Sequence, residues 1–166
     1  MRIGVVSDTH NHLANIQTIV ELFNQSDVNW VVHTGDIASP KALHAFAALN
    51  KPLLGVWGNN DLEDGKPLAG LEQAAQELSF AFSMAPLVLN RCGRRILIVH
   101  DPRDFESMPP QDYDVALHGH THRYRMEHVS EGKIIFNPGE CAGHMPGLNA
   151  IGVLDLIRLE TDLLRF

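Results

Sequence analysis

Five short apolar runs along the chain each end directly in polar residues. The runs are rich in valine, isoleucine and leucine and are too short to form isolated helices, so they predict buried β-strands. The polar residues that follow them read S-D-T-H-N, H-T-G-D, G-N-N-D, H-D and H-G-H-T-H. The runs themselves occupy residues 3–6, 30–32, 53–57, 96–99 and 115–117.

Helical periodicity occupies the intervals between the first strands. Apolar residues at 3.6-residue spacing predict a first helix with Asn11 as its N-cap. Ser39 and Pro40 form a suitable N-cap and first-turn pair for a second helix, and a third helix follows further along. The apolar positions of the three helices are Leu13, Ile16, Ile19, Val20 and Phe23; Leu43, Phe46 and Ala47; and Leu71, Ala74, Ala75 and Leu78.

The second half of the chain is richer in predicted strands. The sequences N-R-C-G-R-R and S-E-G-K each predict a hairpin turn. Strands are predicted at residues 86–90, 94–100, 115–118, 124–129, 133–136 and 150–157, followed by a last segment to Phe166. Alternating strands and helices in the first half imply parallel β-α-β units and therefore a mixed α/β fold. A chain of 166 residues is most simply one domain, residues 1–166.

Composition and charge narrow the class of protein. With 45% hydrophobic and 20% charged residues, the chain has the composition of a soluble globular protein. The net charge of −7 argues against a broad basic surface for nucleic acid, although a local metal charge can still attract a small anionic substrate. We expect neither a signal peptide nor a membrane span, because no apolar run is long enough. Cys92 and Cys141 match no disulfide framework, so reduced thiols in a cytoplasmic protein are expected.

Potential metal ligands stand at the ends of all five predicted strands. In an open α/β sheet, ligands gather outside the carboxyl ends of the strands, so these side chains should converge on one crevice. Two carboxylates, one amide and four imidazoles suit zinc or a transition metal, and seven ligands are too many for one tetrahedral ion. They suit two ions that share a bridging carboxylate. The seven residues are Asp8, His10, Asp36, Asn59, His100, His120 and His122.

The succession D-T-H, G-D, G-N-N-D, H and G-H-T-H resembles the calcineurin-like metallophosphoesterases. All five fragments occur in order, each after an apolar run, and the resemblance covers residues 3 to about 156. The chain length and the N-P-G-E sequence near the end are similar to the small single-domain bacterial and archaeal phosphodiesterases. The resemblance implies a four-layer αββα sandwich with a dinuclear metal site at the carboxyl ends of the strands.

The resemblance also implies a role for each ligand and a reaction. One ion would be bound by Asp8, His10 and His122, the second by Asn59, His100 and His120, and Asp36 would bridge both. The two divalent ions would be drawn from Mn, Fe, Ni, Co and Zn. A hydroxide bridging them would attack phosphorus in line. The implied partner is a small phosphate ester, with nucleotide-derived esters among the candidates.

Three residues depart from the family pattern. Asn60 stands where many members have a histidine that protonates the leaving group. The leaving oxygen would therefore depart largely unaided, or take a proton from water or from a neighbour such as Asp61. Asp101 replaces a more usual glycine, and Glu140 replaces the commoner serine of N-P-G-S. These departures leave several substrates compatible with the sequence. The sequence is also compatible with each candidate metal and with a homo-oligomer.

Two alternatives to a phosphodiesterase follow from the same resemblance. A scaffold protein, like the retromer subunit of this fold, would work through protein contacts. The intact ligand set favours the enzyme, because a scaffold has no chemical need for every ligand. A phosphomonoesterase is a weaker option, since the acid at position 60 is missing.

The remaining histidines have simpler interpretations. His33 lies within a predicted strand and is expected to be a hydrogen-bonded core residue. His118 precedes the ligand turn and is expected to pack beside it rather than to bind metal. Cys141 and His144 follow N-P-G-E, close to the metals if the fold is the implied one, and a packing role is expected for both. The histidines expected on the surface or on helices are His12, His44 and His128.

Overall fold

The fold consists of two mixed β-sheets with helices on their outer faces. The structure is a computed structural model that describes residues 1–63, 68–106 and 112–166. In chain order its elements are β1 (Arg2–Val6), α1 (Leu13–Gln25), β2 (Trp30–His33), α2 (Pro40–His44) with a 3₁₀ turn (Ala45–Ala48), β3 (Leu53–Val56), α3 (Leu68–Glu77), β4 (Ala81–Ser83), β5 (Leu87–Arg91), β6 (Arg94–Ile98), α4 (Arg103–Glu106), β7 (Val115–Leu117), β8 (Arg125–Ser130), β9 (Lys133–Asn137), β10 (Ala150–Asp155) and β11 (Glu160–Arg165).

The first sheet has the strand order β11-β10-β1-β2-β3-β4. Its strands β1 to β4 are parallel, and α1, α2 and α3 connect them in succession. The strands β10 and β11 extend the sheet in antiparallel fashion on the far side of β1. The predicted β-α-β units are therefore confirmed.

The second sheet has the order β5-β6-β7-β9-β8. Its central strands β6, β7 and β9 are parallel, and the hairpin strands β5 and β8 are antiparallel to their neighbours. Both predicted hairpin turns are present, and each turn contains a glycine with positive φ, Gly93 in one and Gly132 in the other. The carboxyl ends of the parallel strands bring their following loops to one edge of this sheet.

Apolar side chains fill the space between successive layers. Phe23 of α1 and Phe46 of the 3₁₀ turn pack on the outer face of the first sheet. Leu117 and Phe136 are fully buried among the side chains between the two sheets. Phe105 of α4 belongs to a smaller group on the outer face of the second sheet. The layer order is the expected αββα arrangement. In the described part of the chain, the fourth layer is formed by the four-residue helix α4.

Local interactions explain where the helices begin. Ser39 caps α2 as predicted, because its side chain accepts a hydrogen bond from the Ala42 amide. The prediction that Asn11 caps α1 is wrong: the cap is His12, whose Nδ1 accepts from the Asn15 amide at 3.2 Å. The side-chain oxygen of Asn11 accepts instead from the Ser39 hydroxyl, which links the starts of the two helices.

Two short elements lack a sequence signal. The strand β4 has three residues and α4 has four, so neither contains enough positions for a hydrophobic period to be recognised. Both owe their conformation to the elements against which they pack. Among the described residues, no helix is both long enough and apolar enough to cross a membrane.

Candidate metal centre

The seven predicted ligands lie together at one edge of the two sheets. They occupy the loops that follow β1, β2 and β3 of the first sheet and β6 and β7 of the second. Parallel strands deliver their carboxyl ends to the same side, so residues more than a hundred positions apart become neighbours. The convergence expected from the sequence is present in the structure.

One group of ligand atoms surrounds His10. Its Nε2 lies 3.4 Å from Nε2 of His122 and 4.0 Å from Oδ2 of Asp36. Nε2 of His122 lies 3.6 Å from Oδ1 of Asp8. Ligand atoms of Asp8, His10 and Asp36 all lie within 4.8 Å of one another. We call these four side chains the first group.

A second group surrounds the Asn59 amide oxygen. That oxygen lies 3.0 Å from Nε2 of His100 and 3.0 Å from Nδ1 of His120. Nε2 of His100 lies 3.3 Å from Oδ2 of Asp36. Asp36 therefore borders both groups with the same oxygen atom.

The spacing and chemistry of these atoms fit two metal ions. Two ligands that each lie ~2.1 Å from one ion are about 3.0–3.4 Å apart at octahedral or tetrahedral angles. The contacts around the second group lie at that separation, at 3.0–3.3 Å, and those of the first group are somewhat longer, at 3.4–4.0 Å. Imidazole nitrogens combined with carboxylate and amide oxygens suit manganese, iron, cobalt, nickel or zinc. The residues present therefore fit a dinuclear centre with Asp36 between the two positions.

The backbone at the ligands adopts strained conformations. Nine non-glycine residues of the described chain have positive φ, and five of them are predicted ligands: Asp8, His10, Asp36, His120 and His122. Such a conformation costs of order 1–3 kcal/mol per residue and persists only where surrounding structure enforces it. Backbone strain of this kind clusters at active sites and ligand-binding positions, and here it coincides with five of the predicted ligands.

Burial and mutual contact shift the pKa values of the acids and imidazoles. Burial disfavours ionised Asp36, but the hydrogen bonds and charge of His100, together with hydrogen bonds from Asn60, lower the pKa of Asp36 to about 2. Burial likewise disfavours charged His100, yet contact with Asp36 raises the pKa of His100 to about 9. Burial also raises the pKa of Asp8 and lowers that of His10.

Two ligand histidines have their ring orientation fixed by a second hydrogen bond. Nδ1 of His100 donates to the Thr34 carbonyl oxygen at 2.9 Å, which leaves Nε2 free to face Asp36. Nδ1 of His122 contacts the buried Glu140 carboxylate, which leaves its Nε2 free to face Asp8. A carbonyl or carboxylate behind the ring is the usual support of a metal-binding histidine. Glu140, the departure from N-P-G-S, is therefore part of the site.

Asp61 supports two of the ligand loops from inside the protein. Its side chain is fully buried. One carboxylate oxygen accepts from the amides of Asp36 and Gly58, and the other accepts from the amides of Ile37 and Ala38, at 2.7–2.9 Å. This position differs from the expectation that Asp61 lies near the leaving group, because both oxygens are committed to backbone donors.

Asn60 is directed at the shared carboxylate. Its backbone amide donates to Oδ1 of Asp36 at 2.8 Å, and its side-chain amide donates to Oδ2 at 2.6 Å. The side chain is partly exposed at the edge of the site. Asn60 therefore holds Asp36 in place and carries no group that ionises near neutral pH.

His33 and His118 have the roles expected of them. His33 is fully buried: its Nδ1 accepts from the Gly35 amide, and its Nε2 donates to the Thr9 hydroxyl at 3.0 Å. Burial and the charge of nearby His100 lower the pKa of His33 to about 3, so it is a neutral core residue. His118 is also buried, and its Nδ1 donates to the Gly119 carbonyl.

His144 is the residue near the site that the sequence assigned to packing alone. It is exposed, and its ring centroid lies 5.6 Å from that of His10 and 5.5 Å from that of His122. Its loop follows β9, a further parallel strand whose carboxyl end faces the same edge. The strand-end rule that identified the seven ligands would have identified this loop as well. Cys141 is buried, and its thiol donates to the Ser7 carbonyl.

A cleft of about 520 Å³ opens beside the second group. Its floor contains Asn59, His100 and His120. The rest of the lining combines an apolar part with a carboxylate and a guanidinium joined by a salt bridge, Asp101 with Arg103. The apolar part is formed by Trp57, Leu62, Met84 and Ala85. This volume lies within the roughly 300–1,000 Å³ of small-molecule sites.

Comparison with known proteins assigns this chain to a family. Residues 1–158 match the model of the calcineurin-like phosphoesterase superfamily domain. A phosphodiesterase of Methanocaldococcus jannaschii is 34% identical over 161 residues, which cover 96% of each chain.

Solved structures share the fold over nearly the whole chain. An archaeal phosphodiesterase matches with a TM-score of 0.87 and 30% identity, covering 100% of both chains. The phosphoesterase YfcE of E. coli matches with a TM-score of 0.70 and 22% identity, covering 99% of this chain and 98% of that one. A Vps29 of Entamoeba histolytica, complexed with Zn²⁺, matches with a TM-score of 0.66 and 19% identity, covering 100% and 98%. The last two similarities concern the fold alone.

Proposed function

The chain belongs to the calcineurin-like phosphoesterase superfamily, and we propose that it is a metal-dependent phosphodiesterase acting on a small phosphate ester. The observation that carries the proposal is the pair of ligand groups that share Oδ2 of Asp36. When bound, two divalent ions would supply Lewis-acid activation of water and of the phosphoryl oxygens. Asp8, His10 and His122 would hold one ion, and Asn59, His100 and His120 the other.

The chain's own residues hold this arrangement before a substrate arrives. Asn60 fixes the orientation of Asp36, and Asp61 fixes the loops that present Asp36 and Asn59. The hydrogen bonds behind His100 and His122 keep the opposite ring nitrogen directed at the site. A preorganised site stabilises a transition state without reorganisation during the reaction.

The cleft suggests which esters fit. Its position beside the second group supports a bound ester whose phosphoryl group would lie near Asn59, His100 and His120. Leu62 is 39% exposed and Met84 is 55% exposed, so an apolar or aromatic part of the ester can cover them. A nucleotide-derived diester has both a phosphoryl group and an aromatic part, which makes it our preferred substrate class. The unpaired Cys92 and Cys141 accord with a cytoplasmic protein.

The test combines metal reconstitution with a panel of esters. The metal-free protein is loaded separately with Mn²⁺, Fe²⁺, Co²⁺, Ni²⁺ and Zn²⁺, and bis(p-nitrophenyl) phosphate is compared with p-nitrophenyl phosphate. We expect about two ions per chain and a higher kcat/KM for the diester. A chain that binds two ions and hydrolyses neither ester nor nucleotide diesters would favour the scaffold alternative suggested by the Vps29 likeness.

Two variants test whether the activity resides in this site. Asp36→Asn removes the charge that both groups share, so we expect metal affinity and activity to fall by more than the roughly 10–100-fold typical of outer partners. His118→Ala changes a buried histidine outside the ligand set and should retain two ions. Elemental analysis and kcat/KM are measured for both. Equal losses in the two variants would contradict the assignment of the histidine turn.

A further inference from the structure

Three imidazoles, rather than two, face the first ligand group. One nitrogen each of His10, His122 and His144 lies within 4.8 Å of the other two. His10 also belongs to the set of mutually close ligand atoms formed with Asp8 and Asp36. His144 therefore brings a ring nitrogen close to two members of the first group, His10 and His122.

The loop that carries His144 is fixed to the site by several hydrogen bonds. The Glu140 carboxylate is buried, and while one oxygen contacts His122, the other accepts from the His144 backbone amide at 2.9 Å. The side chain of Asn15 on α1 donates to the Cys141 carbonyl at 2.8 Å. Glu140 thus links the ring of one ligand to the backbone of His144. The usual serine of N-P-G-S is too short to make both contacts.

We propose that His144 is an eighth protein ligand of the metal centre and completes the coordination of the ion held by the first group. The proposal rests on the proposed function, because it assumes that the first group binds metal. Together with Asp8, His10, Asp36 and His122, it would supply five protein ligands and leave one position of an octahedral ion. Histidine ligands of this number suit cobalt, nickel or zinc.

This assignment determines which of the two ions the ester would approach. With five protein ligands, the ion of the first group would keep one position, whereas Asp36, Asn59, His100 and His120 would supply four ligands to the other ion. The described cleft borders Asn59, His100 and His120 of the second group. The ion of the second group would then have more open positions, and the ester would approach from its side.

The experiment titrates the metal-free full chain with Co²⁺ against a competing chelator and records the visible spectrum of the bound ions. His144→Ala should lower the affinity for one ion by about tenfold or more and leave the other unchanged. The visible bands of the weakened ion should change intensity, because its coordination number falls. His144→Asp keeps a ligand oxygen and should recover most of the affinity.

The control is His128→Ala, which removes an exposed histidine from β8 and should bind both ions as the wild type does. Denaturant unfolding in the absence of metal checks that the His144 variants are folded. If His144→Ala bound two Co²⁺ with wild-type affinity and spectrum, the assignment would be overturned. Unchanged binding with a steeper dependence on leaving-group pKa would also overturn it, by marking His144 as a proton donor. A wild-type chain that binds no pair of Co²⁺ ions would instead reject the proposed function.

Discussion

At the scale of single residues, Asn60 supports the shared carboxylate and is not a proton donor. Its side chain donates to Oδ2 of Asp36 rather than offering a proton to a substrate. Asp61 is buried with both oxygens bonded to amides, so it does not supply the missing acid. The Arg103 guanidinium borders the cleft but does not deprotonate at ordinary pH. The leaving oxygen therefore departs without a side-chain acid from these neighbours.

The first prediction concerns this leaving group. General acid catalysis is typically worth about 10²–10⁴-fold in rate, so wild-type rates should depend steeply on leaving-group pKa, with aryl diesters cleaved readily and alkyl esters poorly. Asn60→His places an imidazole at the same position and should flatten the dependence. The measurement is kcat for a series of diesters with graded leaving groups at saturating metal. A shallow dependence in the wild type would show that another residue already donates the proton.

Single residues also show how much of the site the sequence could predict. Asp8, Asp36 and His100 were identifiable because a polar residue directly after a buried strand has a definite place in a parallel sheet. The contact of Glu140 with His122 and the position of His144 depend on how a loop folds back across the site. The strand-end rule places the loop after β9 at this edge, but it does not say which residues of that loop reach the ligands, and identifying them required the three-dimensional structure.

At the scale of elements, the loops after β2 and β3 act as one unit around Asp61. Four backbone amides from these two loops meet its two carboxylate oxygens. These loops carry Asp36, which both groups share, and Asn59 of the second group. The distance between Asp36 and Asn59 therefore depends on Asp61, which is not itself a predicted ligand. The apolar runs predicted β2 and β3. They do not predict the hydrogen bonds through which Asp61 connects the loops that follow these strands.

The second prediction tests this unit. Asp61→Asn replaces one acceptor oxygen with a donor that faces two amide N–H groups, and each unsatisfied buried donor costs about 1–3 kcal/mol. We expect a lower free energy of unfolding and weaker metal binding. Urea unfolding of the metal-free chain and Co²⁺ titration measure the two effects. Asp27→Asn, an exposed substitution on the loop before β2, is the control, and equal behaviour of both variants would refute the role of Asp61.

At the scale of the whole molecule, the site exists because the two sheets approach closely at one edge. Gly119 follows β7 of the second sheet and lies against Ser7 and Asp8, which follow β1 of the first. A Cβ atom at this glycine would lie 1.7 Å from Oγ of Ser7 and 2.6 Å from Oδ2 of Asp8. The His120 amide, one residue further, donates to both carboxylate oxygens of Asp8 at 3.0–3.1 Å. The sequence predicted both sheets but not this distance between them.

The last prediction is that Gly119→Ala separates the two halves of the metal centre. The added methyl group cannot fit beside Ser7 and Asp8, so the loop carrying His120 and His122 must move away from the first sheet. We expect metal affinity and diesterase activity to fall by at least about a hundredfold, as expected for displaced ligands. The free energy of unfolding should fall by about 1–3 kcal/mol, as is typical of overpacking. Elemental analysis, kcat/KM and urea unfolding are compared with Gly70→Ala on α3, where the nearest atom is a Pro40 side-chain carbon at 3.3 Å. The double variant Ser7→Gly with Gly119→Ala removes the closest clash and should regain part of the metal affinity. Wild-type affinity in Gly119→Ala would mean that close contact of the sheets at this glycine is not what holds the ligands together.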